Sequence, residues 1–421
     1  MKAFIDKSQI KGKVTAPSSK SYTIRALMCA ALTKGESQLI YSLTSEDTEA
    51  AIGVWGKLGV KVERGKDIWR VSGGSLRAPE GDLFCGDSAA ILRFMTAICS
   101  IVAGRCRLTV GPSLAKRPVK PLVDALKQLG VDVSCYGDVA PVVVNGGKLR
   151  GGVIEIRGDI SSQFVSALLL VAPFAQESVK IRLTTPLESK PYVLMTIECL
   201  EKFGIKVKRS KSLGEFEVEP QEYRPARYEV EGDWSSASYF LALGAVAGET
   251  EVANLNPRSL QGDKMLVDFL CQMGAQVEMK RNSIVVKKSS LKAIRADLTN
   301  CIDLLPTVAA LAALAEGTSE LAGIERARLK ESDRVAAVGE GLERMGIKVV
   351  EEKTRLRITG GEPSGAVIDS VNDHRIAMAF SILGVVAGNT VIEGAECVNK
   401  TFPEFWDILR GIGGKVRLSG Q

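Results

Sequence analysis

The chain has 421 residues, 45% hydrophobic and 25% charged, a composition that excludes disordered and fibrous classes, and its length leads us to expect two or more domains. Lys plus Arg number 55 against 49 Asp plus Glu, a net charge of +6 that suits small anionic ligands as readily as nucleic acid. His374 is the one histidine, so a HExxH zinc site or a Cys2His2 cluster is excluded, and any Ser-His-Asp triad would have to use that ring.

The first 14 residues have neither the apolar core of a signal peptide nor the Arg/Ser-rich character of a transit peptide, and no apolar run approaches the roughly 18 residues that span a bilayer. Nine cysteines between Cys29 and Cys397, without a CxxC pair, read as reduced buried thiols of a cytoplasmic protein. Next comes Ala16-Pro17-Ser18-Ser19-Lys20-Ser21-Tyr22-Thr23-Ile24-Arg25, which places Lys20, Ser21 and Arg25 around a helix start. A lysine there opposes the helix dipole unless it serves an anion; a solvated basic face is the bland alternative.

At Leu58-Gly59-Val60-Lys61-Val62 a phrase begins that returns along the whole chain: an amphipathic helical stretch, a large apolar residue, Gly, and an alternating strand start. It recurs at Leu129-Gly130, Phe203-Gly204, Met273-Gly274, Met345-Gly346 and, more weakly, Ile412-Gly413. The spacing of about 70 residues divides the chain into six repeats, each long enough to be a small α/β subdomain rather than a solenoid turn. A second marker, Gly86-Asp87-Ser88, Gly158-Asp159-Ile160-Ser161 and Gly232-Asp233-Trp234-Ser235, precedes apolar helical runs and predicts Asp/Ser N-caps. Upstream of the repeated glycines, near further predicted helix starts, stand Arg117, Lys190, Lys264, Lys330, Arg334 and Lys400. Helix N-termini already carry free N–H groups and partial positive charge, so cations added there make anion sites.

Between these, Lys116-Arg117-Pro118 presents a basic pair before a helix-starting proline, and Ser161-Ser162-Gln163 and Ser189-Lys190-Pro191-Tyr192 offer hydroxyls suited to a polyol or phosphate, with simple capping as the rival reading. Asp303 lies among apolar neighbours, where desolvation is expected to push a carboxylate toward base chemistry near neutrality. Lys330-Glu331-Ser332-Asp333-Arg334 is dense in charge, and Asn372-Asp373-His374-Arg375 and Asn399-Lys400-Thr401-Phe402-Pro403 again put cations at helix starts. There is no GxxxxGK[ST] loop and no dinucleotide fingerprint in a strand-helix context.

Taken in order, KSxxxR at 20–25, KRP at 116–118, SSQ at 161–163, SKPY at 189–192, KESDR at 330–334, NDHR at 372–375 and KTFP at 400–403 resemble the enolpyruvyl transferase family, and within it the 5-enolpyruvylshikimate-3-phosphate synthases. The resemblance implies an α/β fold of six βαβαββ repeats, three per lobe in an inverse α/β barrel-like arrangement. Residues 18–230 would form one lobe, mainly on the shikimate 3-phosphate side, and 1–17 with 231–421 the other, with the catalytic carboxylates and the phosphoenolpyruvate side. Closure of the lobes would expel water. The implied reaction moves the enolpyruvyl group of phosphoenolpyruvate to the 5-hydroxyl of shikimate 3-phosphate through a tetrahedral adduct, in chorismate and aromatic amino-acid biosynthesis. No metal or organic cofactor is implied, a monomer is expected, and glyphosate would be a competitive inhibitor.

By the same resemblance, Lys20, Ala89, Arg117, Gln163, Arg334, Arg375 and Lys400 would hold phosphoenolpyruvate. Lys20, Ser21, Arg25, Ser161, Ser162, Gln163, Ser189, Tyr192, Asp303, Arg326 and Lys330 would hold shikimate 3-phosphate. Asp303 is expected as base toward the 5-hydroxyl, Glu331 as the acid/base at the methylene carbon, and Lys20 as proton carrier. His374 is expected to be structural. The chain departs from the family pattern in reading Asp87-Ser88-Ala89-Ala90, before a helix expected to end at Arg93, where Asn-Ala/Ser-Gly-Thr is common, and in having Arg326 where Asn is common. The methyl of Ala89 is expected to crowd glyphosate more than substrate. Two alternatives stand beside this: the UDP-N-acetylglucosamine enolpyruvyl transferases, marked by a loop cysteine that the segment around Arg117 lacks, and a noncatalytic anion-binding repeat protein. Nucleic-acid binding is disfavoured because aromatic residues make up only 5% of the chain.

Overall fold

The computed structural model describes residues 1–419. Every sequence repeat becomes the same assembly, a four-stranded sheet in which the first strand lies beside the second, the second beside the fourth and the fourth beside the third. In the repeat of Gly204, Gly152–Ile156 runs parallel to Val179–Leu183, and Glu215–Val218 pairs antiparallel with both Val179–Leu183 and Lys208–Arg209. A parallel pair requires a crossover, and the helix Ser162–Val171 supplies it. A second helix, Lys190–Lys202, leads from the second strand to the final hairpin.

The two helices of a repeat differ because their surroundings differ. Crossover helices such as Ser162–Val171, Trp234–Ala247 and Leu305–Ala313 are buried on nearly every side, since they pack on the crossover helices of neighbouring repeats. The outer helices are amphipathic; Lys120–Gln128 buries Leu122, Val123, Ala125 and Leu126 and leaves its charges in water. Each outer helix is followed by the repeated glycine. Gly59, Gly130, Gly204, Gly274, Gly346 and Gly413 all have φ between +80° and +103°, a left-handed conformation that a Cβ would strain.

The chain forms two compact lobes, one of residues 18–230 and one of residues 1–17 together with those from Glu231 onward. Two strands complete repeats far away in sequence: Ile10–Thr15 pairs with Gly248–Ala253, and Arg227–Glu229 with Gly35–Ile40. Lys2–Asp6 lies between Thr390–Glu393 and Lys415–Leu418, so the last repeat is finished by the first residues of the chain.

Three local expectations need correction. The Asp of the Asp/Ser marker caps only one of the three helices: Asp233 accepts the Ser236 N–H at 2.7 Å, whereas Ser161 caps its helix and Asp159 pairs with Arg157. Asp87 instead reaches across to accept the N–H groups of Ser113 and Leu114 at 3.0 and 3.1 Å. The helix expected to end at Arg93 runs from Ala89 to Ile98, because apolar residues continue past the arginine. Of the nine free cysteines, Cys271 is exposed and Cys135 half-buried; the other seven are buried. Among the described residues no helix is long and apolar enough to cross a membrane.

Candidate active site

In the lobe of residues 18–230 the crossover helices start with polar residues where their apolar stretches begin. Ser19 caps Lys20–Leu32 by accepting the Tyr22 N–H, and Lys20 places its ammonium 2.8 Å from Asp47, a buried carboxylate in the first turn of Glu46–Lys57. The lysine that opposes its own helix dipole is thus held by a counter-ion that sequence spacing did not indicate. One turn on, Arg25 is 3% exposed. Its guanidinium donates to Thr196 Oγ1 at 2.8 Å, to the Ser21 carbonyl at 3.0 Å and to the Tyr192 carbonyl at 3.2 Å, and lies over the rings of Phe94 and Tyr192. Among the described residues no carboxylate pairs with it, and burial pushes its pKa down. A desolvated cation with neutral partners is a ready place for an anion.

Arg93 ties the neighbouring groups together. It donates to Ser161 Oγ at 3.0 Å, to Gln163 Oε1 at 2.8 Å and to the Pro118 carbonyl at 3.1 Å, with Phe164 beneath it. The start of Ser162–Val171 is thereby fixed to the loop bearing the buried Arg117. Arg93 was absent from the expected site residues; its position in an apolar helix, a place where a lone arginine needs partners, was the available signal. Ala89 is buried at the start of its helix. Ser189, with φ +51°, is the buried N-cap of Lys190–Lys202, Tyr192 follows half-buried, and Lys190 itself is exposed.

The other lobe holds a cluster of opposite character. Asp303 sits in the 3-10 turn Ile302–Leu304, just ahead of Pro306 in the first turn of Leu305–Ala313. Arg334, wholly buried, donates to Asp303 at 2.7 Å, to Glu331 at 2.6 Å and to Asp373 through two nitrogens at 2.7 and 3.2 Å. Asp373 also caps His374–Ala387 through the Arg375 N–H and accepts from Ser332. Lys330 and Arg375 approach Asp303 at 3.2 and 3.6 Å, and Lys400 approaches Glu331 at 3.7 Å. Four cations thus face three carboxylates.

That balance overturns the expected pKa of Asp303. Burial raises it, as the apolar neighbours suggest, but Lys330, Arg375 and Arg334 together outweigh burial and hold the carboxyl well below its ordinary range. Arg334, with its side chain 1% exposed, is bound to all three carboxylates. Arg326 donates to the Thr299 carbonyl at 2.6 Å, and His374 is buried with Nδ1 3.8 Å from Asp373. Asp263, beside the Lys264 picked out from spacing, is the residue there that senses Asp303 and Arg375 electrostatically.

Comparison with known proteins agrees along the whole length. The family model described as EPSP synthase (3-phosphoshikimate 1-carboxyvinyltransferase) matches residues 5–409. A 3-phosphoshikimate 1-carboxyvinyltransferase of Dehalococcoides mccartyi is 49% identical over 418 residues, 99% of each chain, and one of Methanocaldococcus jannaschii is 40% identical over 97% of each. A solved EPSP synthase of Acinetobacter baumannii superposes with a TM-score of 0.84 at 27% identity, covering 99% of this chain and 100% of that one. With six matching repeats, two lobes of three and relatives aligned end to end, the chain belongs to the EPSP synthase (3-phosphoshikimate 1-carboxyvinyltransferase) family.

Proposed function

We propose that the chain transfers the enolpyruvyl group of phosphoenolpyruvate to the 5-hydroxyl of shikimate 3-phosphate and releases phosphate, in the route to chorismate and the aromatic amino acids. The observation that carries this reading is the pair Asp303 and Glu331, fixed on one buried guanidinium at 2.7 and 2.6 Å with a lysine facing each. Two oriented carboxylates suit a reaction that removes a proton from an alcohol and delivers one to a methylene carbon.

In the addition step Asp303 takes the hydroxyl proton as the oxygen bonds to the central carbon of phosphoenolpyruvate, and Glu331 protonates the methylene. The elimination step takes a proton back from the resulting methyl group as the carbon–phosphate oxygen bond breaks. Lys20, Arg117, Arg375 and Lys400 would hold the phosphoenolpyruvate anion, with Gln163 and Ala89 beside it. Ser21, Arg25, Ser161, Ser162, Gln163, Ser189, Tyr192, Arg326 and Lys330 would hold shikimate 3-phosphate. Lys20 would also carry a proton and steady charge on the adduct. Anionic groups arriving at Lys330 and Arg375 draw those cations off Asp303 and raise its proton affinity when substrate is present.

The test is phosphate release from phosphoenolpyruvate with each of two acceptors. Release with shikimate 3-phosphate alone is expected; release driven by UDP-N-acetylglucosamine, or none with either, overturns the reading. The methyl of Ala89 should give partial glyphosate tolerance, since one steric change of this kind supplies about 1 to 3 kcal/mol. Ala89→Gly should tighten glyphosate inhibition by about tenfold or more, and unchanged inhibition refutes that part. A monomer is expected in sedimentation, and nine free thiols fit a cytoplasmic location.

A further inference from the structure

The lobe that carries Asp303 and Arg334 has a second hollow, at the far end of its crossover helices. Trp234–Ala247 and His374–Ala387 start at their caps Asp233 and Asp373, the latter bound to Arg334. Their last residues, Val246, Ala247, Val385 and Val386, line a cavity of about 910 Å³. Fourteen residues of helix set the two ends roughly 20 Å apart. The rim comes from the sheets. Gln276, Lys287, Glu249 and Lys11 are successive cross-strand neighbours, and Lys7, Lys288 and Lys415 complete the ring of charge. Glu249 is the one acidic residue of the lining, and Lys287 lies 3.6 Å from it. Lys7, Lys11, Lys288 and Lys415 are exposed and make no ion pair among the described residues. Four like charges around one hollow favour an arriving anion.

Main-chain bonds fix this frame. The Ser8 N–H donates to the Val385 carbonyl at 3.0 Å, the Lys11 N–H to the Ile412 carbonyl at 2.9 Å and the Lys288 N–H to the Gly248 carbonyl at 2.6 Å. The Lys415 N–H donates to Ser8 Oγ at 2.9 Å. Helix C-termini ordinarily repel anions through their open carbonyls, but those of Val385 and Gly248 are already occupied by these N–H groups. A Cβ on Gly248 would stand 1.8 Å from the Ile10 carbonyl oxygen, so glycine lets the strands close beneath the cavity.

We propose that this cavity binds a small-molecule diphosphate. Its cations are lysines without an arginine, point charges that take phosphate without the planar fork suited to carboxylate. Two phosphate groups carry about three to four negative charges near neutral pH, which the four lysines match. The floor of Ile10, Val246, Ala247 and Val385 is buried and aliphatic, a seat for an apolar body that bears the diphosphate.

Calorimetry on the full chain tests this, with ADP, pyrophosphate and AMP as probes, in the absence and presence of saturating shikimate 3-phosphate. ADP and pyrophosphate should bind in both conditions, and AMP at least about tenfold more weakly. ADP binding tighter than pyrophosphate assigns the cavity to an organic diphosphate; equal affinity assigns it to the inorganic ion. Lys11→Gln combined with Lys288→Gln should weaken ADP binding by about tenfold or more, with kcat and both KM values within about twofold of wild type. Lys11→Arg combined with Lys288→Arg should retain it. Removing the same charge from exposed positions elsewhere, Lys148→Gln with Lys211→Gln, should leave binding unchanged. Four results overturn the proposal: no saturable binding of either diphosphate, wild-type affinity in the Lys11→Gln, Lys288→Gln variant, an equal loss in the Lys148→Gln, Lys211→Gln control, or binding abolished by shikimate 3-phosphate. The lysine variants decide the matter without turnover, so the proposal and the reading of the reaction can fail separately.

Discussion

Arg25 and Arg334 are both buried near the first turn of a helix, yet they are opposite in charge balance. Arg25 bonds to a threonine hydroxyl and two backbone carbonyls, all neutral, and burial pushes its pKa down. At Arg334 burial acts the same way, but Asp373, Glu331 and Asp303 outweigh it and push the pKa up. The first arginine is surrounded by neutral partners; the second is paired with three carboxylates. Identical residue types at similar depth therefore differ in electrostatic state, and the partners, not the depth, distinguish them.

Breaking the second arrangement should have the largest effect. Arg334→Met leaves three carboxylates without their common cation, and unfolding in urea should show a loss of about 3 to 5 kcal/mol; wild-type stability would mean that the cluster holds itself together without the guanidinium. Arg25→Met should do the reverse. Stability without ligand should be unchanged or higher, because an unbalanced buried charge has gone, while calorimetry should show shikimate 3-phosphate affinity lower by about 2 to 3 kcal/mol. Equal affinity would remove Arg25 from the binding groups.

The smallest effect sharpens the comparison through pH. The Asp303 pKa lies below its unfolded value, so the stability it contributes is present above about pH 4 and is lost as pH falls toward the folded pKa. Asp303→Asn should flatten the acid limb of the stability curve by about 1 to 2 kcal/mol, and an unaltered limb would place acid sensitivity elsewhere. Asp263 has the opposite sign. Its pKa is raised, so its contribution is present at acid pH and is lost as pH rises through about 6.

The sixfold repeat was legible because each outer helix is followed by a left-handed residue that only glycine occupies without strain. Lys20, Lys190, Arg334 and Arg375 do stand in first turns, as local sequence suggested, whereas Lys400 closes the 3-10 segment Ala395–Lys400 and Lys330 follows Glu325–Leu329, so for these two the expected helix start was misplaced. What could not be read is whatever segments distant in sequence lend one another, within a repeat or between repeats. The burial of Asp303 shows in its apolar neighbours, but the cations that reverse its pKa come from positions 330, 334 and 375. Asp47 beneath Lys20, Asp373 across from Arg334 and Arg93 between Ser161 and Pro118 are likewise pairings made by tertiary packing. Among Gln261-Gly262-Asp263-Lys264, charge pattern drew the eye to the lysine, whereas the electrostatically engaged residue is the aspartate.

The borrowed strands dictate an order of manufacture. Lys2–Asp6 and Ile10–Thr15 are synthesised well before their hydrogen-bonding neighbours, which begin at Thr390 and Gly248. The sheet begun by Gly35–Ile40 likewise lacks its edge until Arg227–Glu229 appears. The nascent chain must carry unmated strands across long stretches of synthesis, so loss of the segment from Thr390 would leave Lys2–Asp6 without either neighbour.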